Sequence, residues 1–232
     1  MHHTRIKICG ITREDDLHSV VAAGADAVGF VFHAASPRNL VMEQARVLAA
    51  RTPAFVTRVA LFMDAEAAFI EEVLGAVNLD LLQFHGQETP AECIRWGVDY
   101  IKAIPMGGIG PDAGRIADYL EGHDRAKGFL LDSNVIGQAG GSGKTFDWSR
   151  VGALFEDENR IILAGGLTPE NAAEAVRQVR PFAVDVSSGV EAAKGVKDPA
   201  KVLRFAEAVR RADIELNTQS TSNPTRSKGA AA

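Results

Sequence analysis

Two hydrophobic patterns alternate along this chain. One is a short run dense in β-branched or aromatic residues, as in Ile6-Lys7-Ile8, Ala27-Val28-Gly29-Phe30-Val31-Phe32 and Leu81-Leu82-Gln83-Phe84. The other is a longer stretch rich in Ala, Glu and Arg, where apolar residues recur every three or four positions, as in 41–51 and 198–211. The first pattern reads as buried strand, the second as a helix packed by one face. On this basis strands are expected at about 5–9, 26–32, 56–62, 80–85, 99–105, 127–132, 160–165 and 182–188. Helices are expected at about 13–23, 41–51, 66–76, 89–96, 111–121, 147–155, 169–179 and 198–211. Strictly alternating strands and helices imply a parallel sheet. Eight such units imply closure into a (β/α)8 barrel, since an open doubly wound sheet has fewer units and a glycine-rich first turn. The first turn here is Cys9-Gly10-Ile11-Thr12, with no GxGxxG spacing.

Local signals support the division. Thr12, with Asp15 three residues on, is close to a capping pattern. Thr168-Pro169 and Asp198-Pro199 each place proline at an expected first helical position. The barrel is therefore expected to span 1–211 as an α/β domain. Residues 212–232 turn to Asn, Thr, Gln and Ser and end in Gly229-Ala230-Ala231-Ala232, and are expected to be a disordered tail.

Composition narrows the class. Hydrophobic residues make up 46% and charged residues 24% of the 232, near the values of soluble globular chains. No apolar run is long enough to span a membrane, and Met1 to Arg5 lead directly into a strand, so neither a membrane anchor nor a signal peptide is expected and the chain reads as cytoplasmic. A net charge of −5 without a basic cluster argues against a nucleic-acid partner. Cys9 and Cys93 stand too far apart for a metal motif, and Cys93 falls on the apolar side of a helix and reads as core.

In a (β/α)8 barrel the chemistry sits at the C-terminal ends of the strands. Standing there are Lys7-Ile8-Cys9-Gly10, Ser36-Pro37-Arg38, Gln83-Phe84-His85-Gly86 and Asp132-Ser133. Gly165-Gly166 follows strand 7, and Asp185-Val186-Ser187-Ser188-Gly189 forms the end of strand 8. Glycines and serines after strands 7 and 8 suit phosphate, because backbone N–H groups and hydroxyls can approach its oxygens. Gly143-Lys144-Thr145 suggests a nucleotide loop, but Gln138 occupies the position where a P-loop needs glycine. The glycine-rich connection after strand 6 reads better as a mobile lid. Alternation along strands turns Lys7 inward with Cys9, and Asp185 inward with Ser187. Strands 1 and 8 become neighbours on closure, so a Lys7–Asp185 ion pair is expected beneath the site.

Lys7-Ile8-Cys9-Gly10-Ile11-Thr12, Gln83-Phe84-His85-Gly86, the segment Gly140 to Trp148 and the segment Asp185 to Glu191 together resemble the phosphoribosylanthranilate isomerase family of tryptophan biosynthesis. The resemblance covers about residues 5–210. It implies a barrel needing no metal and no organic cofactor, and an Amadori rearrangement of N-(5′-phosphoribosyl)anthranilate to a carboxyphenylamino-deoxyribulose phosphate. Such a shift needs an acid at the ribose ring oxygen and a base at C2′. Cys9 and Asp132 fit this pair, and the resemblance makes Cys9 the base and Asp132 the acid. The acid role requires Asp132 to hold a proton, hence a raised pKa. The resemblance also gives Arg38 the anthranilate carboxylate and the strand 6 connection a closing motion over substrate. The expected substrate-binding residues are Arg38, Gln83, His85, Gly165, Gly166, Asp185, Ser187, Ser188 and Gly189, with His85 a hydrogen-bonded pocket residue. The expected partner is a small phosphorylated molecule, and the expected state a monomer. A related sugar-phosphate isomerase of histidine biosynthesis uses aspartate at the strand 1 position, and Cys9 argues against it. A non-catalytic phosphate-binding barrel would need neither Cys9 nor Asp132.

Overall fold

The computed structural model describes residues 2–106, 119–133, 148, 151 and 161–222. Eight parallel strands close into one barrel in sequence order: β1 (Arg5–Cys9), β2 (Ala27–Val31), β3 (Thr57–Phe62), β4 (Leu81–Phe84), β5 (Tyr100–Pro105), β6 (Gly128–Asp132), β7 (Ile161–Leu163) and β8 (Ala183–Val186). The helices are α1 (Glu14–Ala22), α2 (Met42–Arg51), α3 (Ala67–Ala76), α4 (Pro90–Ile94), α5 (Ala172–Val179) and α6 (Pro199–Ser222). The expected helix at 147–155 and most of that at 111–121 lie outside the described residues, as does the expected lid around 140–145.

Strand alternation divides the core in two. Val59, Ile101, Ala103, Leu130, Ile162, Ala164 and Ala183 pack together as one buried cluster inside the barrel. Their sequence neighbours face outward into the larger cluster beneath the helices. Phe32, Phe62 and Phe84 form an aromatic row on that outer face, with ring centroids 5.5 and 6.3 Å apart, spacings at which aromatic rings attract.

Four sequence expectations need correction. The last helix does not stop at 211. It continues to Ser222, and Ala212, Asp213 and Leu216 are buried. Val209, Ala212 and Leu216 keep the helical spacing while the exposed positions turn polar, so the polar composition hid a continuing helix. Asp213 receives the Thr4 backbone N–H at 2.9 Å and the Thr4 hydroxyl at 2.7 Å, which clamps the chain just before β1. Residues 223–232 lie outside the described part. Thr12 does not cap α1: the cap position is Arg13, and the Thr12 hydroxyl donates to the Gly195 carbonyl. Pro169 is not in α5, whose cap is Asn171; residues 169–171 form a turn that the Asn171 amide ties to Gly166. Strand 8 ends at Val186, and a 3-10 turn (Ser188–Val190) leads into an unexpected hairpin of β9 (Glu191–Ala193) and β10 (Val196–Lys197). By contrast, Asp198 does cap α6, its Oδ1 accepting from the N–H groups of Ala200 and Lys201.

Candidate active site

The strand ends open onto a cavity at the C-terminal mouth of the barrel. Cys9, Gln83, His85 and Asp132 all line it. So do Arg38, Gly165 and Gly166, and along strand 8 and its turn Asp185, Ser187, Ser188 and Gly189. Thus every residue singled out from the sequence as catalytic or substrate-binding faces the same space. No group of three or more side chains suited to a metal ion occurs among the described residues.

Registration explains the convergence. Lys7 lies level with Asp185, and Cys9 with Gly29. The Lys7 ammonium donates to Asp185 Oδ1 at 2.9 Å, so the expected ion pair is present. A side chain at position 29 would collide with the Cys9 sulfur, since a Cβ there would stand 2.6 Å from Sγ. Glycine at 29 therefore makes the room that Cys9 occupies, a role invisible without the strand pairing.

Electrostatics around Cys9 pull in two directions. Burial pushes the thiol up, against the positive charge of Lys7, with a weaker downward pull from Lys197. Burial also works against the charge on Lys7, but Asp185 and Cys9 outweigh it and the net shift is upward. The thiol thus sits in a pocket where its ionised form has a cation at hand but little solvent. Such a sulfur is a protonated group that can ionise when a substrate supplies a further reason to.

Across the mouth, His85 Nε2 lies 3.0 Å from Asp132 Oδ2, and His85 Nδ1 lies 3.1 Å from the Gln83 amide nitrogen. With the Gln83 amide donating to Nδ1, the ring carries its hydrogen on Nε2 and donates it to Asp132 Oδ2. Gln83 is wholly buried and fixes the ring from behind.

Arg38, expected to bind substrate, is itself anchored by the chain. It is 9% exposed, and its guanidinium pairs with Glu191 through Nε at 2.6 Å and Nη2 at 2.8 Å. Glu191 also takes the Lys197 ammonium at 3.0 Å. Burial opposes charge on Glu191, but Arg38 and Lys197 outweigh it and hold the carboxyl below its usual range. Neither Glu191 nor Lys197 was singled out from the sequence. Glu191 does close the segment Asp185 to Glu191, but its partner stands 153 positions away.

The chain matches the family model described as "N-(5'phosphoribosyl)anthranilate (PRA) isomerase" over residues 6–208. It belongs to the phosphoribosylanthranilate isomerase family. An N-(5'-phosphoribosyl)anthranilate isomerase from Thiobacillus denitrificans is 54% identical over 201 residues, covering 87% of this chain and 95% of the relative. One from Pseudomonas fluorescens is 52% identical over 211 residues, covering 90% of this chain and all of the relative. Among solved structures, the phosphoribosyl anthranilate isomerase of Thermotoga maritima superposes with a TM-score of 0.78 at 40% identity, covering 90% of this chain and all of the other. A phosphoribosyl anthranilate isomerase in complex with reduced 1-(o-carboxyphenylamino)-1-deoxyribulose 5-phosphate gives 0.75 at 38% identity, with the same coverage. The barrel is thus the family's own architecture.

Proposed function

We propose that Cys9 and Asp132 are the base and the acid with which this isomerase turns N-(5′-phosphoribosyl)anthranilate into 1-(2-carboxyphenylamino)-1-deoxy-D-ribulose 5-phosphate, a step of tryptophan biosynthesis. The observation that carries the assignment is their placement: each ends a different strand, three strands apart around the barrel, and both face one cavity. Asp132 protonates the ribose ring oxygen, and the anilino nitrogen lone pair forms the C1′ iminium as the ring C–O bond breaks. Cys9 then removes the C2′ proton, the electron pair neutralises the iminium, and the resulting enol-amine gains a proton at C1′ as its C2′ hydroxyl becomes the ketone. Atoms balance and no external reagent enters. His85, held by Gln83, keeps the Asp132 carboxyl aimed through its bond to Oδ2, leaving Oδ1 to carry the proton. Lys7 favours the Cys9 thiolate, and Asp185 holds Lys7 in place.

The two anionic ends of the substrate find separate partners. Ser187, Ser188 and Gly189 with Gly165 and Gly166 take the phosphate through backbone N–H and hydroxyl groups. Arg38 takes the ring carboxylate, and Val31, Leu61 and Met63 beside it offer the aromatic ring an apolar wall. The chain works without metal or organic cofactor in this scheme.

Turnover of N-(5′-phosphoribosyl)anthranilate, followed by loss of its fluorescence, tests the reading. Cys9→Ala and Asp132→Asn should each lower kcat by roughly 10²–10⁴-fold, the range of a placed acid or base, with folding retained. Near-normal turnover by folded Cys9→Ala would remove the base assignment.

No helix among the described residues is long and apolar enough to cross a membrane. The cytoplasm is part of the proposal, supported by two cysteines that are both free. A monomer is too, supported by the spread of its large exposed apolar side chains over α2's approach, α3, α4, α6 and the α2–β3 loop. One Thermotoga maritima relative is described as dimeric, and sedimentation equilibrium at twice the 24.7 kDa chain mass would replace the monomer.

A further inference from the structure

A guanidinium has two edges that can receive a carboxylate through parallel hydrogen bonds: the side formed by Nε and Nη2, and the end formed by Nη1 and Nη2. Glu191 occupies the side edge of Arg38, through Nε and one Nη2 hydrogen. The end edge has no acceptor among the described residues. Arg38 lines the cavity, whereas Glu191 and Lys197 do not; they stand behind it. The aliphatic part of Arg38 is fixed as well. Gly10 has φ 78°, and a Cβ there would lie 2.4 Å from the Arg38 Cδ, so the arginine stem rests directly on the Gly10 backbone.

A carboxylate paired to an arginine ordinarily cancels its charge and weakens its hold on a second anion. Here a third group prevents that. The Lys197 side chain is fully buried. Its Nζ meets three acceptors: Glu191 Oε1 at 3.0 Å, the Ser187 carbonyl at 3.1 Å and Ser187 Oγ at 3.4 Å. Three acceptors around one amine match the three hydrogens of an ammonium. Burial works against the charge on Lys197, opposed by Glu191; as an ammonium it brings the sum of Arg38, Glu191 and Lys197 to one positive charge beside the cavity that Arg38 lines. The backbone of Glu191 is tied down in turn by the Lys201 ammonium on its carbonyl at 2.7 Å.

We infer that Glu191, charge-balanced by Lys197, is a positioning residue that sets the carboxylate specificity of this isomerase by fixing Arg38 with its end edge toward the substrate. The inference rests on the assignment of Arg38 to the ring carboxylate. It differs in content, because it says that an arginine alone at position 38 is insufficient, and that the chain segment following strand 8 serves both anionic ends of the substrate.

The test uses full-length enzyme and two probes. One is reduced 1-(o-carboxyphenylamino)-1-deoxyribulose 5-phosphate; the other is the same compound lacking the ring carboxyl. Calorimetric Kd values and steady-state kcat and KM are measured for wild type, Arg38→Met, Glu191→Gln, the Arg38→Met/Glu191→Gln double variant and Glu191→Gln/Lys197→Met. The last removes both buried charges together, so that a fold disturbed by an unpaired Lys197 does not stop the test. Glu191→Gln should weaken the carboxylated probe by about tenfold or more, as loss of one partner of a buried charge pair does, and leave the other probe unchanged. KM should rise with kcat nearly constant. In the Arg38→Met background, Glu191→Gln should have no further effect on the carboxylated probe. Glu191→Gln/Lys197→Met should show the same loss of discrimination. If Arg38→Met weakens only the carboxylated probe and neither Glu191 variant weakens it, the positioning role is overturned while the Arg38 assignment stands. If Arg38→Met weakens both probes equally, the Arg38 assignment falls and the positioning role falls with it.

Discussion

The two cysteines of this chain invite comparison. Both are free and buried, and each has a buried lysine–carboxylate pair nearby. Cys93, on α4 outside the barrel, is pushed up to about 12, chiefly by burial, against the pull of Lys102. Cys9 is raised for the same first reason but lines the cavity. The lysines differ more than the thiols. Lys102 donates to the Gly86 carbonyl at 2.6 Å and to Glu88 at 2.7 Å, with the Phe84 carbonyl at 3.5 Å. Glu88 in turn accepts the backbone N–H groups of Asp64 and Gly86. That network uses up its donors on the chain and ties the loop after β4 to β5. Lys7 donates to Asp185 and also hydrogen-bonds Cys9, so that part of its charge falls on a group lining the cavity. A buried ion pair whose donors all end on structural acceptors holds the fold; one that also reaches a cavity-lining thiol can act on what enters.

Substitution at the thiols gives the largest separation. Cys9→Ala should lower kcat by roughly 10²–10⁴-fold, whereas Cys93→Ala should leave kcat unaltered and show only as a lower melting temperature. Equal kinetic effects would erase the distinction.

The lysines come next. Lys102→Met and Lys7→Met each strand a buried carboxylate and should cost about 3–5 kcal/mol in urea unfolding. Only Lys7→Met should also move the pH profile. With burial holding the Cys9 thiol high, kcat/KM of the wild type should climb with pH through the neutral range as the thiolate fraction grows. Removing the cation raises that thiol further and should shift the climb to higher pH. A profile unchanged in Lys7→Met would mean that the lysine serves stability alone.

A smaller effect separates the regions at acid pH. His123, packed against Tyr100 and Tyr119 outside the barrel, is held down to about 4, first by burial and then by Lys102. Unfolded, it would protonate near its ordinary value of 6.5. The unfolded state therefore binds the extra proton between those values. The associated stability is present above about pH 6.5 and is lost as pH falls towards 4, amounting to about 2 kcal/mol at pH 5. Guanidinium titrations of wild type and His123→Gln at pH 7.5 and 5 should show the variant losing less. Of similar size, Asp213→Ala should cost about 1–3 kcal/mol, because the buried Thr4 N–H loses its acceptor; a variant as stable as wild type would show that the extension of α6 is dispensable.

Much of this was legible before any coordinates. The barrel could be read because its strands are short β-branched runs, and the Lys7–Asp185 pair because alternation and closure suffice to place it. The grouping of Cys9, Asp132 and the strand 8 turn follows from strand ends alone. What escaped were contacts made by elements too short or too polar to announce themselves. The β9–β10 hairpin is only a few residues long, yet it carries Glu191 and Lys197. Thr12 has the side chain of a cap, but tertiary packing sends its hydroxyl to Gly195. Asn217, Thr218 and Gln219 look like tail, but Asn217 exchanges hydrogen bonds with the His2 backbone. Arg38 and Glu191, Thr12 and Gly195, and His2 and Asn217 stand 153, 183 and 215 positions apart, beyond the reach of any local pattern.

That separation has a consequence for how the molecule is made. β1 leaves the ribosome well before β8, with which it pairs across the barrel seam, Arg5 lying level with Ala183, and Thr4 waits for Asp213 still later. At about 5–20 residues per second, the 178 positions between Lys7 and Asp185 take on the order of 10–40 s to synthesise. For most of that time one edge of β1 has no strand to bond to, and Cys9 is a thiol without the wall that will bury it. The nascent chain thus carries an unpaired strand edge and an accessible sulfur until β8 emerges, and the interval before closure is when a holdase would have most to act upon.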